Sequence, residues 1–322
     1  MPDSLSIADS SDDNQVVGRV AILLSTYNGE KYLATQLESL ISQEYQNWEI
    51  HASDDGSCDG TLEVLERYRE RLGASRLSIY RGPGRGFSAN FMSLVRREEI
   101  QASYFAFCDQ DDIWAKEKIS SAVRCLEEEG ALVPALYCSR TRLVDESGVE
   151  IGYSALFPGK PCFESALVQS IAGGNTMVLN ASARKLVSRT PVALSIVSHD
   201  WWAYLLVSGS GGRVRYDPTP QVDYRQHANN LMGSNRRLSE RLLRLKKMFD
   251  GTFRAWNTAN LAALEYFRKD LTGEHLKRVD MFHMARSSAL PMRLICFKRA
   301  GIYRQSAAEN VVLIAAALIN RL

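Results

Sequence analysis

Three apolar runs that each end in a polar cluster constrain this chain more than any other feature. Residues 20–26 read Val-Ala-Ile-Leu-Leu-Ser-Thr and stop at Tyr27-Asn28-Gly29. Residues 48–53 stop at Asp54-Asp55-Gly56-Ser57, and residues 104–108 run into Asp109-Gln110-Asp111-Asp112. Short runs rich in strand formers and closed by turn residues predict strands. Between them, residues 32–41, 61–68 and 87–95 carry apolar side chains at helical spacing, and residues 77–80 predict a further strand before Gly82-Pro83-Gly84. Strands alternating with helices of this length need right-handed crossovers and predict an α/β fold with a mostly parallel sheet. Ligands of such sheets gather beyond the carboxyl ends of the strands, where the polar clusters lie.

Several function classes drop out early. There is no GxGxxG and no GxxxxGK[ST] in the sequence, which disfavours dinucleotide oxidoreductases and P-loop NTPases. The six cysteines show no CxxC pairing, so they read as reduced thiols rather than zinc ligands or a disulfide frame. Residues 1–17 are polar, lack a basic and an apolar signal region, and read as a disordered lead-in. The longest apolar run, residues 311–319, is well short of the ~20 residues that span a bilayer.

Net charge conceals an asymmetry. Residues 1–232 carry 22 Lys and Arg against 30 Asp and Glu, whereas residues 233–322 carry 17 against 7. The change falls near Gly233-Ser234-Asn235, which places a boundary there: 18–235 as the α/β domain and 236–322 as a basic helical region. Residues 238–249 interleave leucines with Arg241, Arg244, Lys246 and Lys247, the pattern of a basic amphipathic helix. Its apolar face either packs on the domain or lies on an anionic membrane surface.

Asp109, Asp111 and Asp112 repel one another unless a counter-charge is present. A divalent cation suits them, since Mg²⁺ or Mn²⁺ is commonly held by one or two carboxylates plus substrate phosphates. The alternative is an acidic loop in which Asp112 caps a helix starting near Trp114. Asp54-Asp55-Gly56-Ser57 is either a contact to a pyrimidine and ribose or a plain turn before a helix.

Residues 24–29 (Leu-Ser-Thr-Tyr-Asn-Gly), 53–61 (Ser-Asp-Asp-Gly-Ser-Cys-Asp-Gly-Thr) and 107–114 (Phe-Cys-Asp-Gln-Asp-Asp-Ile-Trp) together resemble the N-terminal signatures of family 2 glycosyltransferases. With Ser198-His-Asp-Trp-Trp202 and Tyr224-Arg-Gln-His-Ala-Asn-Asn230, the pattern is most similar to bacterial rhamnosyltransferase-like enzymes of cell-surface polysaccharide and O-antigen synthesis. The resemblance covers about residues 18–235. It implies a GT-A fold, Rossmann-like with a mostly parallel central sheet, followed by a C-terminal helical extension. It also implies that Thr26, Tyr27 and Asn28 line a base pocket, that Asp54 and Asp55 hold the pyrimidine and ribose, that Asp109 touches the ribose, and that Asp111 ligates the metal. Asp200 falls at the place of the catalytic base, where the family usually has Glu-Asp; here the preceding residue is His199.

The chemistry so implied is one in-line displacement with inversion. An acceptor hydroxyl loses its proton to Asp200, and a nucleoside diphosphate leaves. The donor expected is a dTDP- or UDP-sugar, foremost dTDP-L-rhamnose, and the acceptor a saccharide, including one carried on polyprenyl diphosphate. The setting expected is the cytoplasm or the inner face of its membrane. His227 is either a metal or diphosphate ligand or a structural histidine, with Arg225 beside it on the diphosphate side. Trp201 and Trp202 point about 100° apart on a helix, so one is expected in the core and the other against the acceptor. Asn175 follows glycines inside an apolar stretch, which suggests a strand bulge at the ligand.

Two other functions compete. A nucleotidyltransferase shares the sheet but is expected to have a phosphate loop that is missing here. A non-catalytic domain or nucleic-acid binder would use the basic tail, but the tail aromatics recur as helical core would, and no nucleic-acid partner is expected.

Overall fold

The computed structural model describes residues 18–227 and 250–322. The expected lead-in, the boundary at 233–235 and the basic helix at 238–249 lie outside the described residues.

Strands β1 (Val20–Thr26), β2 (Trp48–Asp54), β3 (Leu77–Arg81) and β4 (Tyr104–Asp109) pair in parallel in the order β3-β2-β1-β4. Helices α1 (Glu30–Ile41), α2 (Thr61–Leu72) and α3 (Phe87–Val95) make the crossovers. Every residue of β1 is buried, as a strand covered on both faces requires. This half is the parallel sheet expected from the alternating pattern.

Beyond β4 the sheet becomes mixed. Ile113–Trp114 forms β5, not the start of a helix; α4 (Lys118–Glu127) begins four residues later. The cap expected at Asp112 is therefore corrected: Ile113 and Trp114 pair antiparallel with Asp223 and Val222 of a strand far along the chain, a partner that local pattern cannot reveal. β6 (Ala135–Val144) pairs with the short β7 (Glu150–Tyr153). After α5 (Phe163–Ala166), the stretch expected to be a glycine-bulged strand is instead a 3₁₀ turn, Gly174–Thr176, followed by β8 (Val178–Asn180). β8 joins β4 to β6 with antiparallel pairing on both sides.

α6 (Ala181–Ser188) and α7 (His199–Gly209) lead to the long β9 (Arg213–Arg225), parallel to β6. Its register shifts where Pro218 and Pro220 interrupt the ladder, since proline has no N–H to give. β9 ends at Arg225, beside the loop after β4.

The C-terminal part is helical: α8 (Thr252–Tyr266), α9 (Gly273–Ser287), α10 (Leu290–Ala300) and α11 (Ala307–Leu318). It shares a core with the sheet. Trp202 of α7 meets Phe267 edge-on at 5.7 Å, and one buried cluster runs from Phe105 and Leu179 through α7 to Phe282 and Leu313. Among the described residues, no helix is long and apolar enough to cross a membrane.

Candidate active site

Sheet register brings the three sequence clusters together. Thr26 lies opposite Asp54, and Ser25 opposite Asp109, so the carboxyl ends of β1, β2 and β4 form one edge. Thr26 is buried and donates from its hydroxyl to Asp54 Oδ1 at 3.0 Å. Asp54 also accepts from the Gly56 and Ser57 N–H groups at 3.2 and 2.9 Å, and from the Ser57 hydroxyl at 2.5 Å. Its oxygens are thus occupied in shaping the loop. Asp55 accepts from the N–H groups of Gly84 and Gly86, both at 2.7 Å, and so clamps the 82–86 loop over this edge. Those two glycines have φ of +65° and +86°, which side chains resist.

Tyr27 is 57% exposed, with an uncovered ring at the end of β1. Its backbone is held twice by Gln110, whose amide accepts from Tyr27 N at 2.8 Å and donates to Tyr27 O at 2.9 Å. Asn28 adopts φ of +48° and receives the Cys58 N–H on its side-chain oxygen at 2.9 Å. The first and second clusters are therefore cross-braced, leaving the tyrosine ring free to meet a planar ligand.

The third cluster divides its labour. Asp112 is fully buried, accepting from Asn175 Nδ2 at 2.6 Å and from Arg225 N at 3.3 Å. Burial, with Asp111 and Asp109 beside it, pushes its carboxyl well up. Asp111 Oδ2 is 2.9 Å from His227 Nε2, and the imidazole stacks on Tyr32 at 5.1 Å. Burial, then Asp111 and Asp200, push the Asp109 carboxyl up to about 8, with Lys118 pulling the other way. Asp200 thus lies near enough to feel Asp109.

Asp200 stands in the first turn of α7 and is the one residue of that helix that is not buried. One of its oxygens accepts from the Trp201 N–H at 2.7 Å; the other carries no hydrogen bond among the described residues. A partly exposed carboxylate with an open oxygen can accept a proton from an incoming hydroxyl.

Three sequence expectations are corrected by burial. Neither tryptophan faces a cleft: Trp201 Nε1 donates to Ala166 O at 2.6 Å and Trp202 Nε1 to Thr190 Oγ1 at 2.8 Å, both indoles being buried. α8 covers the outer side of α7 through Trp256, which meets Trp201 edge-on at 6.2 Å. Asn175 holds Asp112 rather than a ligand. Arg225 is buried, its guanidinium donating to the carbonyls of Asp111 at 3.0 Å and Glu146 at 2.8 Å, so it fixes the loop rather than reaching for a diphosphate.

Two residues that the sequence reading overlooked complete the site. Lys118 is fully buried at the first position of α4, with Nζ 3.1 Å from the Trp114 ring centre and no hydrogen-bond partner among the described residues. Burial lowers its ammonium to about 7 against the pull of Cys108, Asp112 and Asp109. A cation buried at a helix N-terminus violates local rules, and the acidic cluster it faces is the compensation. Asn90 is the second: buried on α3, it donates to Ser25 Oγ at 2.8 Å and Ser53 O at 2.7 Å, tying β1 to β2. A polar residue inside the apolar spacing of 87–95 was the available signal.

Among the described residues no three His, Cys, Asp or Glu side chains converge as a metal cage. Asp111 with His227 nonetheless fits the mode in which Mg²⁺ or Mn²⁺ takes one or two protein ligands and completes its shell from substrate phosphates and water. The raised Asp109 carboxyl fits a site short of positive charge.

Comparison with known proteins agrees with this architecture. Residues 21–159 match the model of Glycosyl transferase family 2. The chain is 30% identical over 226 residues to a dTDP-rhamnosyl transferase, RfbG, of Shigella flexneri, covering 66% of this chain and 74% of that one. It is 25% identical over 161 residues to the putative teichuronic acid biosynthesis glycosyltransferase TuaG of Bacillus subtilis, covering 50% and 62%. Among solved structures, Staphylococcus aureus TarS 1–349 in complex with UDP is similar at a TM-score of 0.54 and 16% identity, covering 94% of this chain and 89% of that one. The fold is GT-A. The chain belongs to glycosyl transferase family 2 and is a glycosyltransferase enzyme.

Proposed function

We propose that this protein transfers a sugar, foremost L-rhamnose from dTDP-L-rhamnose, to a hydroxyl of a cell-surface polysaccharide or lipid-linked saccharide, with inversion. The observation that carries the reading is Asp200, the one unburied residue of α7, beside the carboxylates at the end of β4. In this account Asp200 removes the acceptor proton as the oxygen attacks the anomeric carbon, and the nucleoside diphosphate leaves from the opposite face. Tyr27 stacks on the base, Thr26 and Asn28 shape the pocket, and Asp109 meets the ribose. Asp54 and Asp55 serve the nucleotide through the loops they hold. Asp111 and His227 would hold Mg²⁺ or Mn²⁺. Bound there, such an ion offsets the negative charge of the departing diphosphate. The dTDP-rhamnosyl activity of the Shigella relative supports the donor.

The acceptor side is read as a membrane one. α10 and α11 expose Met292, Ile295, Val311, Ile314 and Leu318, and the same C-terminal stretch exposes Lys298, Arg299 and Arg321. Such a surface suits peripheral contact with the anionic inner face of the cytoplasmic membrane, where polyprenyl diphosphate carriers would present the acceptor. Sedimentation with phosphatidylglycerol vesicles but not phosphatidylcholine vesicles is the expected result.

Calorimetric titration of dTDP, UDP, GDP and ADP, with and without Mn²⁺, tests the donor site. Mn²⁺-dependent binding of dTDP or UDP is expected; binding of none of the four contradicts the reading.

A further inference from the structure

His199 precedes Asp200, and its surroundings are unlike those of a histidine that handles protons. The ring is buried, and neither nitrogen has a hydrogen-bond partner among the described residues. It stacks on Phe91 at 4.1 Å and 25°, and meets Phe107 edge-on at 4.8 Å and Phe87 at 5.9 Å. Its remaining side lies on Gly174, where an added Cβ would stand 2.4 Å from Nε2 and 3.4 Å from the Asp200 Cβ.

Those neighbours matter for the site. Phe107 is two residues before Asp109 on β4, so the two side chains share a face. Gly174 begins the turn that carries Asn175, the partner of Asp112. One ring thus touches α3, β4 and the 3₁₀ turn, and sits at the start of the helix that presents Asp200.

We propose that His199 is a positioning residue that acts as an uncharged aromatic wedge: its ring sets the place of Asp200 against β4 and the Gly174 turn, and neither nitrogen takes part in proton transfer. A carboxylate at this position, as in the Glu-Asp form, would have no cation or donor to meet in a cage of phenylalanines. Burial also lowers the imidazole to about 4, which keeps it neutral at ordinary pH. Leaving two polar nitrogens unpaired is unfavourable, so shape rather than polarity accounts for the residue here. The inference rests on the reading of Asp200 as the base.

The test compares His199→Phe, His199→Asn, His199→Glu and Asp200→Asn by thermal melting and by dTDP release from dTDP-L-rhamnose with Mn²⁺ and a polyprenyl-diphosphate-linked saccharide acceptor. His199→Phe is expected to melt no lower than wild type and to release dTDP within about fivefold of it. His199→Asn, polar but without a ring, is expected to melt lower and to lose about tenfold or more, and His199→Glu to lose the most. A His199→Phe protein that melts like wild type but has lost about 100-fold, the scale of a lost acid–base group, overturns the proposal. If Asp200→Asn keeps full release while His199→Phe does too, the base assignment falls and the packing role stands. If wild type releases no dTDP with acceptor present, the donor or the acceptor reading fails and melting decides: Phe at or above wild type with Asn below it supports the wedge, and the reverse order refutes it.

Discussion

Asp111 Oδ2 and His227 Nε2 lie 2.9 Å apart although 116 residues separate them in the chain. The pair joins the loop after β4 to the end of β9, and Arg225 locks the same junction by donating to the Asp111 carbonyl. A carboxylate–imidazole pair is thereby built from one end of the parallel half-sheet and one end of the mixed half. Neither half supplies it alone.

If Asp111 is the principal ligand, Asp111→Ala removes the Mn²⁺ dependence of dTDP or UDP binding. His227→Ala weakens that dependence by a smaller factor, about tenfold, because one of two protein ligands remains. Calorimetry with and without Mn²⁺ measures both. Dependence that survives in Asp111→Ala places the ion elsewhere.

The Asp109 carboxyl, pushed up to about 8 by burial and by Asp111 and Asp200, makes a pH prediction. Its folded-state pKa lies above the unfolded one, so its contribution to stability is fully present below about pH 4 and is lost as pH rises through about 8. Asp109→Asn removes that loss. Its melting temperature relative to wild type, without metal, therefore rises from about pH 5 to about pH 8. A difference that is flat or falls with pH contradicts the assignment.

Gly174 has no room for a side chain: a Cβ would stand 2.4 Å from His199 Nε2. Gly174→Ala should cost about 1–3 kcal/mol, the usual range for overpacking. Urea unfolding measures it. A stability equal to wild type would mean that the turn and α7 are less closely fitted.

Tyr27 offers a contrast, since its ring is 57% exposed. Tyr27→Ala should leave the melting temperature unchanged while weakening dTDP or UDP binding by about tenfold or more, on the scale of ~1–3 kcal/mol for a base stacked on an aromatic ring. Unchanged affinity removes Tyr27 from the base pocket.

The parallel half of the fold was legible in the sequence because each strand there is a local apolar run and each crossover a local helical pattern. Register then brought the three polar clusters to one edge, as their positions after β1, β2 and β4 implied. What could not be read was set by distant partners. Ile113–Trp114 became a strand only through β9, and the second indole, expected against the acceptor, is buried as well, Trp201 lying against Trp256 of α8 and Trp202 against Phe267. Lys118 escaped notice for the same reason: its burial against the acidic cluster depends on where α4 packs, not on its neighbours in the chain.

The central claim is that Asp200 removes the acceptor proton in a metal-assisted transfer from a nucleotide sugar. The most direct measurement is turnover of dTDP-L-rhamnose by wild type and Asp200→Asn with a polyprenyl-diphosphate-linked saccharide acceptor and Mn²⁺, following dTDP release and the anomeric configuration of the product. The account predicts inverted product from wild type and a loss of about 100-fold or more in Asp200→Asn, with dTDP affinity changed less than about threefold. Retained configuration, or an Asp200→Asn enzyme that turns over like wild type, would contradict it.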